Sequence, residues 1–97
     1  MTRTLLTPEE IEALADTLPL WTAAGGRLTR SATASTFVDA IGWVDAIAVA
    51  AEELDHHPDI DIRWRTLNLA VTTHSTGGLT ELDVALARRI DEIVRPR

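Results

Sequence analysis

The sequence predicts an α+β fold: a four-stranded antiparallel sheet with three helices on one face, in the order α-β-β-α-β-β-α. Two observations carry this expectation. Three segments repeat apolar residues at helical spacing, and the first and third open on a threonine able to cap a helix. Between them stand two pairs of shorter segments that alternate apolar and polar residues, with Gly25-Gly26 and Gly77-Gly78 as breaks. The 97 residues suit one domain spanning 1–97, with no internal linker and no repeat.

The first helix is expected from Thr7. Thr7, Pro8 and Glu10 form a T-x-x-E capping box with proline at the first helical position, and Leu6 and Ile11 are spaced as a hydrophobic staple. Ile11, Leu14, Ala15 and Leu18 make its apolar stripe, and Pro19 ends it. Trp21–Ala24 and Leu28–Ser35 read as a hairpin around the glycine pair.

The second helix runs from about Thr36 to Leu54. Phe37, Ile41, Val44, Ala48 and Ala51 share one face, widened by Trp43, Ile47, Ala50 and Leu54. So wide a stripe exceeds what one sheet face needs and predicts packing on a further element or subunit, with Gly42 permitting a close approach. Pro58 stops the helix structurally. Asp61–Arg65 and Leu67–Thr73 read as the second strand pair. Trp64 shares parity with Ile60 and Ile62 and is expected in the core. The third helix starts at Thr80 with Asp83 as a shorter capping-box acid, and Val84, Ala87, Ile90 and Val94 form its buried stripe. Arg95-Pro96-Arg97 reads as a frayed tail.

Composition removes several kinds of chemistry. A formal charge of −6 opposes nucleic acid phosphates. There is no Lys, hence no Schiff base or lysine nucleophile. There is no Cys, hence no disulfide, thiol chemistry, iron–sulfur cluster or cysteine-based zinc site. No apolar run suits a signal peptide or a membrane span, so a cytoplasmic location is expected.

The histidines are the candidates for chemistry. All 3 lie between positions 56 and 74. His56 and His57 follow the second helix, and His74 closes the last strand. An antiparallel strand pair brings these positions to one sheet edge. By parity with Asn68 and Thr72, His74 faces away from Leu67, Leu69 and Val71. Glu52, four residues before His56, is one helical turn back and placed to orient it. Imidazole titrates near neutrality, which suits acid–base catalysis. Metal ligation lacks H-x-x-x-H or H-E-x-x-H spacing, and histidines that merely cap a helix end remain a plain alternative.

The order Glu52-x-x-x-His56-His57-Pro58, five residues to Trp64, nine to His74 and eight to Asp83 resembles the signature of the pterin-4a-carbinolamine dehydratases, also known as dimerization cofactor of hepatocyte nuclear factor. EELDHHPDIDIRW and TTHSTGGLTELD carry the resemblance. It implies dehydration of a 4a-hydroxytetrahydropterin to the quinonoid dihydropterin, with no cofactor and no metal. It further implies His56 and His74 as the acid–base pair and His57 as a group that binds and polarises the pterin. Glu52 would support them, the backbone of Asp55 and of Thr72, Thr73 and Ser75 would face the ligand, and Trp64 is a weaker stacking candidate. Asp83 and Pro58 would be structural. The resemblance also implies a homodimer or homotetramer formed through helices. A protein-interaction module using the helical face, or the same chemistry on a different pterin, are the alternatives.

Overall fold

The computed structural model describes residues 3–95, so Pro96 and Arg97 of the expected tail lie outside the described residues. The three helices are α1 (Pro8–Thr17), α2 (Phe37–Leu54) and α3 (Glu81–Ile93). All three start at the predicted threonines. Thr7 N–H donates to Glu10 Oε1 at 2.9 Å and Glu10 N–H to the Thr7 hydroxyl at 3.2 Å, closing the capping box. Asp39 N–H donates to the Thr36 hydroxyl at 3.0 Å. Thr80 and Asp83 close a second box at α3.

Strands β1 (Thr22–Ala24), β2 (Arg27–Thr33), β3 (Asp59–Arg63) and β4 (Thr66–Val71) form one antiparallel sheet in the order β1-β2-β4-β3. In the centre, Leu28 stands opposite Val71 and Ala32 opposite Leu67. With Leu69 they bury one face, flanked by Ile60 and Ile62, and the helices cover it through Leu14, Leu18, Ile47, Leu86 and Ile90. Trp21 fastens this layer to α3, its indole N–H donating to Asp91 Oδ1 at 2.8 Å, and Arg30 pairs with the same carboxylate.

The other face is polar. The Ser31 hydroxyl donates to Asn68 Oδ1 at 2.6 Å, and Asn68 Nδ2 donates to Asp61 Oδ2 at 3.1 Å. Asn68 and then Arg63 hold the Asp61 carboxyl below its ordinary value. Their support for the folded state is therefore present above the usual carboxylate range and fades as pH falls through the lowered value.

Two expectations are corrected. β3 begins at Asp59 and ends at Arg63, so Trp64 and Arg65 form the hairpin turn. Trp64 adopts φ +52° and is 72% exposed, not in the core. Strand alternation stops one residue before it, and the left-handed backbone turns its ring outward, with the Arg65 guanidinium 4.6 Å from the ring centre. On α2, the buried residues are Ala40, Ile47, Ala50 and Ala51. Phe37 and Ile41, part of the stripe too wide for one sheet face, are exposed, as are Val38 and Val49. The sheet takes one side of the broad stripe and leaves the other open. A Cβ at Gly42 would meet nothing within 4 Å among the described residues, so no close approach occurs there between them.

Candidate active site

α2 ends on Asp55, whose backbone is left-handed (φ 49°, ψ 45°). His56 N–H then donates to Ala51 C=O at 3.0 Å, reversing the chain beneath the helix end. Asp59 stands opposite Ala70, so the residues entering β3 and those leaving β4 share one edge of the sheet. This register brings His56 and His57 toward the Thr72–Ser75 segment.

His56 is buried, and its Nε2 lies 2.6 Å from Asp83 Oδ1. Asp83 is fully buried. Its other oxygen accepts the Thr73 hydroxyl at 2.8 Å and Thr80 N–H at 2.9 Å. Thr73 and Thr80 hydroxyls are in turn 2.8 Å apart. A buried carboxylate requires such compensation. An ionised carboxylate only accepts, so with Asp83 ionised His56 donates through Nε2, and Nδ1 is the ring nitrogen not bound to it. Asp83 thus caps α3, as expected, and also holds His56.

Glu52 does not stand behind His56. It pairs with His57, and both side chains are exposed. The left-handed Asp55 breaks the helical periodicity on which the expectation depended. His74 is exposed, but in a closed turn beyond β4, not on the strand. Thr73 C=O accepts N–H bonds from Thr76, Gly77 and Gly78, and Thr73 N–H donates to Gly78 C=O at 3.1 Å. The turn, rather than strand parity, places His74 in the open.

Thr73 is buried and its backbone is spent within that turn, which corrects the expectation that it faces a ligand. It serves the site through Asp83. Asp55 and Ser75 are exposed and Thr72 half-buried at the same edge. Pro58, expected to stop α2, follows its left-handed Asp55 end by three residues and directly precedes β3. Trp64 is at the far end of the β3–β4 hairpin, separated from this edge by the length of β4, about 17 Å. Sequence reasoning missed Thr80, whose capping signal gave no hint that the capped carboxylate reaches a histidine. Among the described residues no three His, Asp or Glu side chains converge as a metal-binding set.

Gly would relieve the left-handed backbone at Asp55. Asp55→Gly is expected to stabilise the fold by roughly 1 kcal/mol, read from chemical denaturation. An unchanged or lower stability would show that the Asp55 side chain compensates its backbone.

This arrangement of sheet and helices is that of the pterin dehydratases. The crystal structure of a transcriptional coactivator/pterin dehydratase from Brucella melitensis matches with a TM-score of 0.91 and 32% identity, over 95% of this chain and 100% of that one. A pterin dehydratase-like protein described as a RuBisCO assembly factor in the alpha-carboxysome matches with a TM-score of 0.66 and 20% identity, over 79% of this chain and 89% of that one, which shows a shared fold alone. Residues 4–93 match the model of the pterin 4 alpha carbinolamine dehydratase family, and the chain belongs to that family. A Nocardia farcinica relative is 50% identical over 98% of this chain and 100% of its own, and one from Mycobacteroides abscessus 52% identical over 90% and 93%. Both bear the name pterin-4-alpha-carbinolamine dehydratase provisionally.

Proposed function

We propose that the chain dehydrates a 4a-hydroxytetrahydropterin to the quinonoid dihydropterin at this edge, by proton transfer between histidines and without a metal. The observation that carries the proposal is the Asp83 carboxylate, which joins His56 to Thr73, the residue next to His74. One buried group thereby ties His56 to the turn that carries His74.

The hydroxyl on carbon 4a leaves as water when it is protonated on departure, and a ring N–H gives up its proton. His56 Nδ1 and the His74 imidazole are the two groups for these transfers. His57, steadied by Glu52 at the rim, binds and polarises the pterin. Backbone groups of Asp55, Thr72 and Ser75 meet its pyrimidine edge. Dehydration of chemically generated 4a-hydroxytetrahydropterin tests this. If the wild type is no faster than the chain carrying both His56→Ala and His74→Ala, the proposal fails.

The open side of α2 favours a second role in association. Phe37, Val38, Ile41 and Val49 are all exposed there, a grouping that marks an interaction surface. We take it as the contact of a homodimer or homotetramer, and it is also the face a different protein partner would use. Ile41→Glu is expected to shift the chain to a smaller assembly by light scattering, with the far-UV spectrum unchanged. A wild-type chain that is monomeric at every working concentration would overturn the self-association reading.

A further inference from the structure

His56 and His57 are steadied through their rings, by Asp83 and Glu52. His74 is placed differently, through the backbone on either side of it. Two positions before it, the Thr72 hydroxyl donates to Gly26 C=O in the β1–β2 turn at 2.6 Å. Two positions after it, the Thr76 hydroxyl donates to Arg3 C=O in the segment before α1 at 2.8 Å.

Close packing backs each hydroxyl. A Cβ on Gly26 would come within 3.4 Å of Gly78 Cα, so the β1–β2 turn lies directly on the His74 turn. On the other side, Leu6 N–H donates to Leu79 C=O at 2.9 Å. A Cβ on Gly78 would stand 2.9 Å from Leu5 Cδ2, so the Arg3–Leu6 segment lies along the same turn. The turn is closed internally by the bonds to Thr73 C=O, which fix its shape. Those bonds do not hold the exposed corner that carries His74 against the rest of the fold. Asp83 anchors the turn at Thr73, and the two threonine hydroxyls tie it on either side of His74 to two segments distant in sequence.

We propose that Thr72 and Thr76 are positioning residues for His74, acting through their side-chain hydroxyls. The inference rests on the reading of His74 as a proton-transfer group. Proton transfer demands hydrogen-bond reach, and a displacement near 1 Å costs on the order of a hundredfold in rate. Loss of a hydroxyl therefore slows turnover without removing any group that touches the pterin.

The test compares Thr→Val, which keeps shape and loses the donor, with Thr→Ser, which keeps the donor, at both positions of the full chain. Turnover of 4a-hydroxytetrahydropterin, thermal unfolding and the imidazole C–H signals of the histidines are measured together. Thr72→Val with Thr76→Val is expected to lower kcat roughly tenfold or more, and Thr76→Val alone, which leaves Thr72 in place, is expected to lower kcat with a smaller change in KM. The His74 signal should broaden or double while that of His57 stays sharp, and the paired serine variant should return kcat to near wild type. A valine pair with wild-type kcat and one sharp His74 signal overturns the proposal, as does a serine pair impaired as much as the valine pair. Should the valine pair fail to fold, Thr76→Val alone supplies the same comparison. If His74→Ala turns over like the wild type, the catalytic reading is what fails. The His74 spectrum then decides positioning by itself: broadening in the valine variant supports it, and an unchanged signal overturns it.

Discussion

Replacing Asp83 by alanine is expected to destabilise the fold by roughly 3 kcal/mol, the scale for stranding several buried donors at once. For a domain of this size that lowers the unfolding midpoint by about 10–20 °C. The change strands His56 Nε2–H, Thr73 Oγ1–H and Thr80 N–H in a buried space. Asp83→Asn separates the structural part from the chemical part. Thr80 N–H can only donate, so the amide oxygen of Asn must face it and the amide NH₂ must face His56. His56 Nε2 then has to accept, which moves its hydrogen to Nδ1. The asparagine variant is expected to remain folded, within about 2 kcal/mol of the wild type. It should still turn over at least a hundredfold more slowly, as wrong-tautomer histidines do. Denaturation curves and kcat on the same preparations check this. An asparagine variant with normal turnover would show that the tautomer of His56 is irrelevant to the reaction.

His74→Ala is expected to show the reverse balance. The side chain is exposed, so its loss should change stability by no more than about 0.5 kcal/mol. In the proposed reaction it should cost about a hundred- to ten-thousandfold in kcat, the usual contribution of a positioned acid or base. His57→Ala should act mainly on KM, because the exposed His57–Glu52 pair stands at the rim. Steady-state kinetics on the three single histidine variants separate these roles. Equal effects on kcat from His57→Ala and His74→Ala would remove the distinction.

Local signals in the sequence were sufficient where the cause is local. The T-x-x-E and T-x-x-D spacings locate α1 and α3 because a cap is decided within one turn of chain. The alternation in Leu67, Leu69 and Val71 locates the buried face of β4. The histidine edge was legible from element order, since antiparallel pairing alone carries residues after α2 toward residues after β4. Failures have tertiary or backbone causes. The β3–β4 turn has no Gly or Asn, so Trp64 continued the strand pattern on paper while its left-handed backbone ended it. Asp55 likewise concealed the exchange of Glu52 from His56 to His57. Periodicity measures how broad the apolar face of α2 is, not which part the sheet takes, so it did not tell that Phe37 and Ile41 lie on the part left open. Asp83 ends the spacing pattern that includes His56, but its reach to the imidazole crosses 27 positions and cannot be read from helical or strand periodicity.

That same reach has a consequence for folding. His56, Thr73 and the start of α3 share one carboxylate, so the imidazole can hold its tautomer only after α3 has docked on the sheet. Closing a loop of this length is entropically slow compared with forming any of the helices. In the proposed reaction, a collapsed chain with the sheet formed and α3 still loose would carry all three histidines without the carboxylate that orients His56. Activity during refolding is then expected to appear late, with helix docking rather than with assembly of the sheet, and α3 would be the latch that switches on the proposed chemistry.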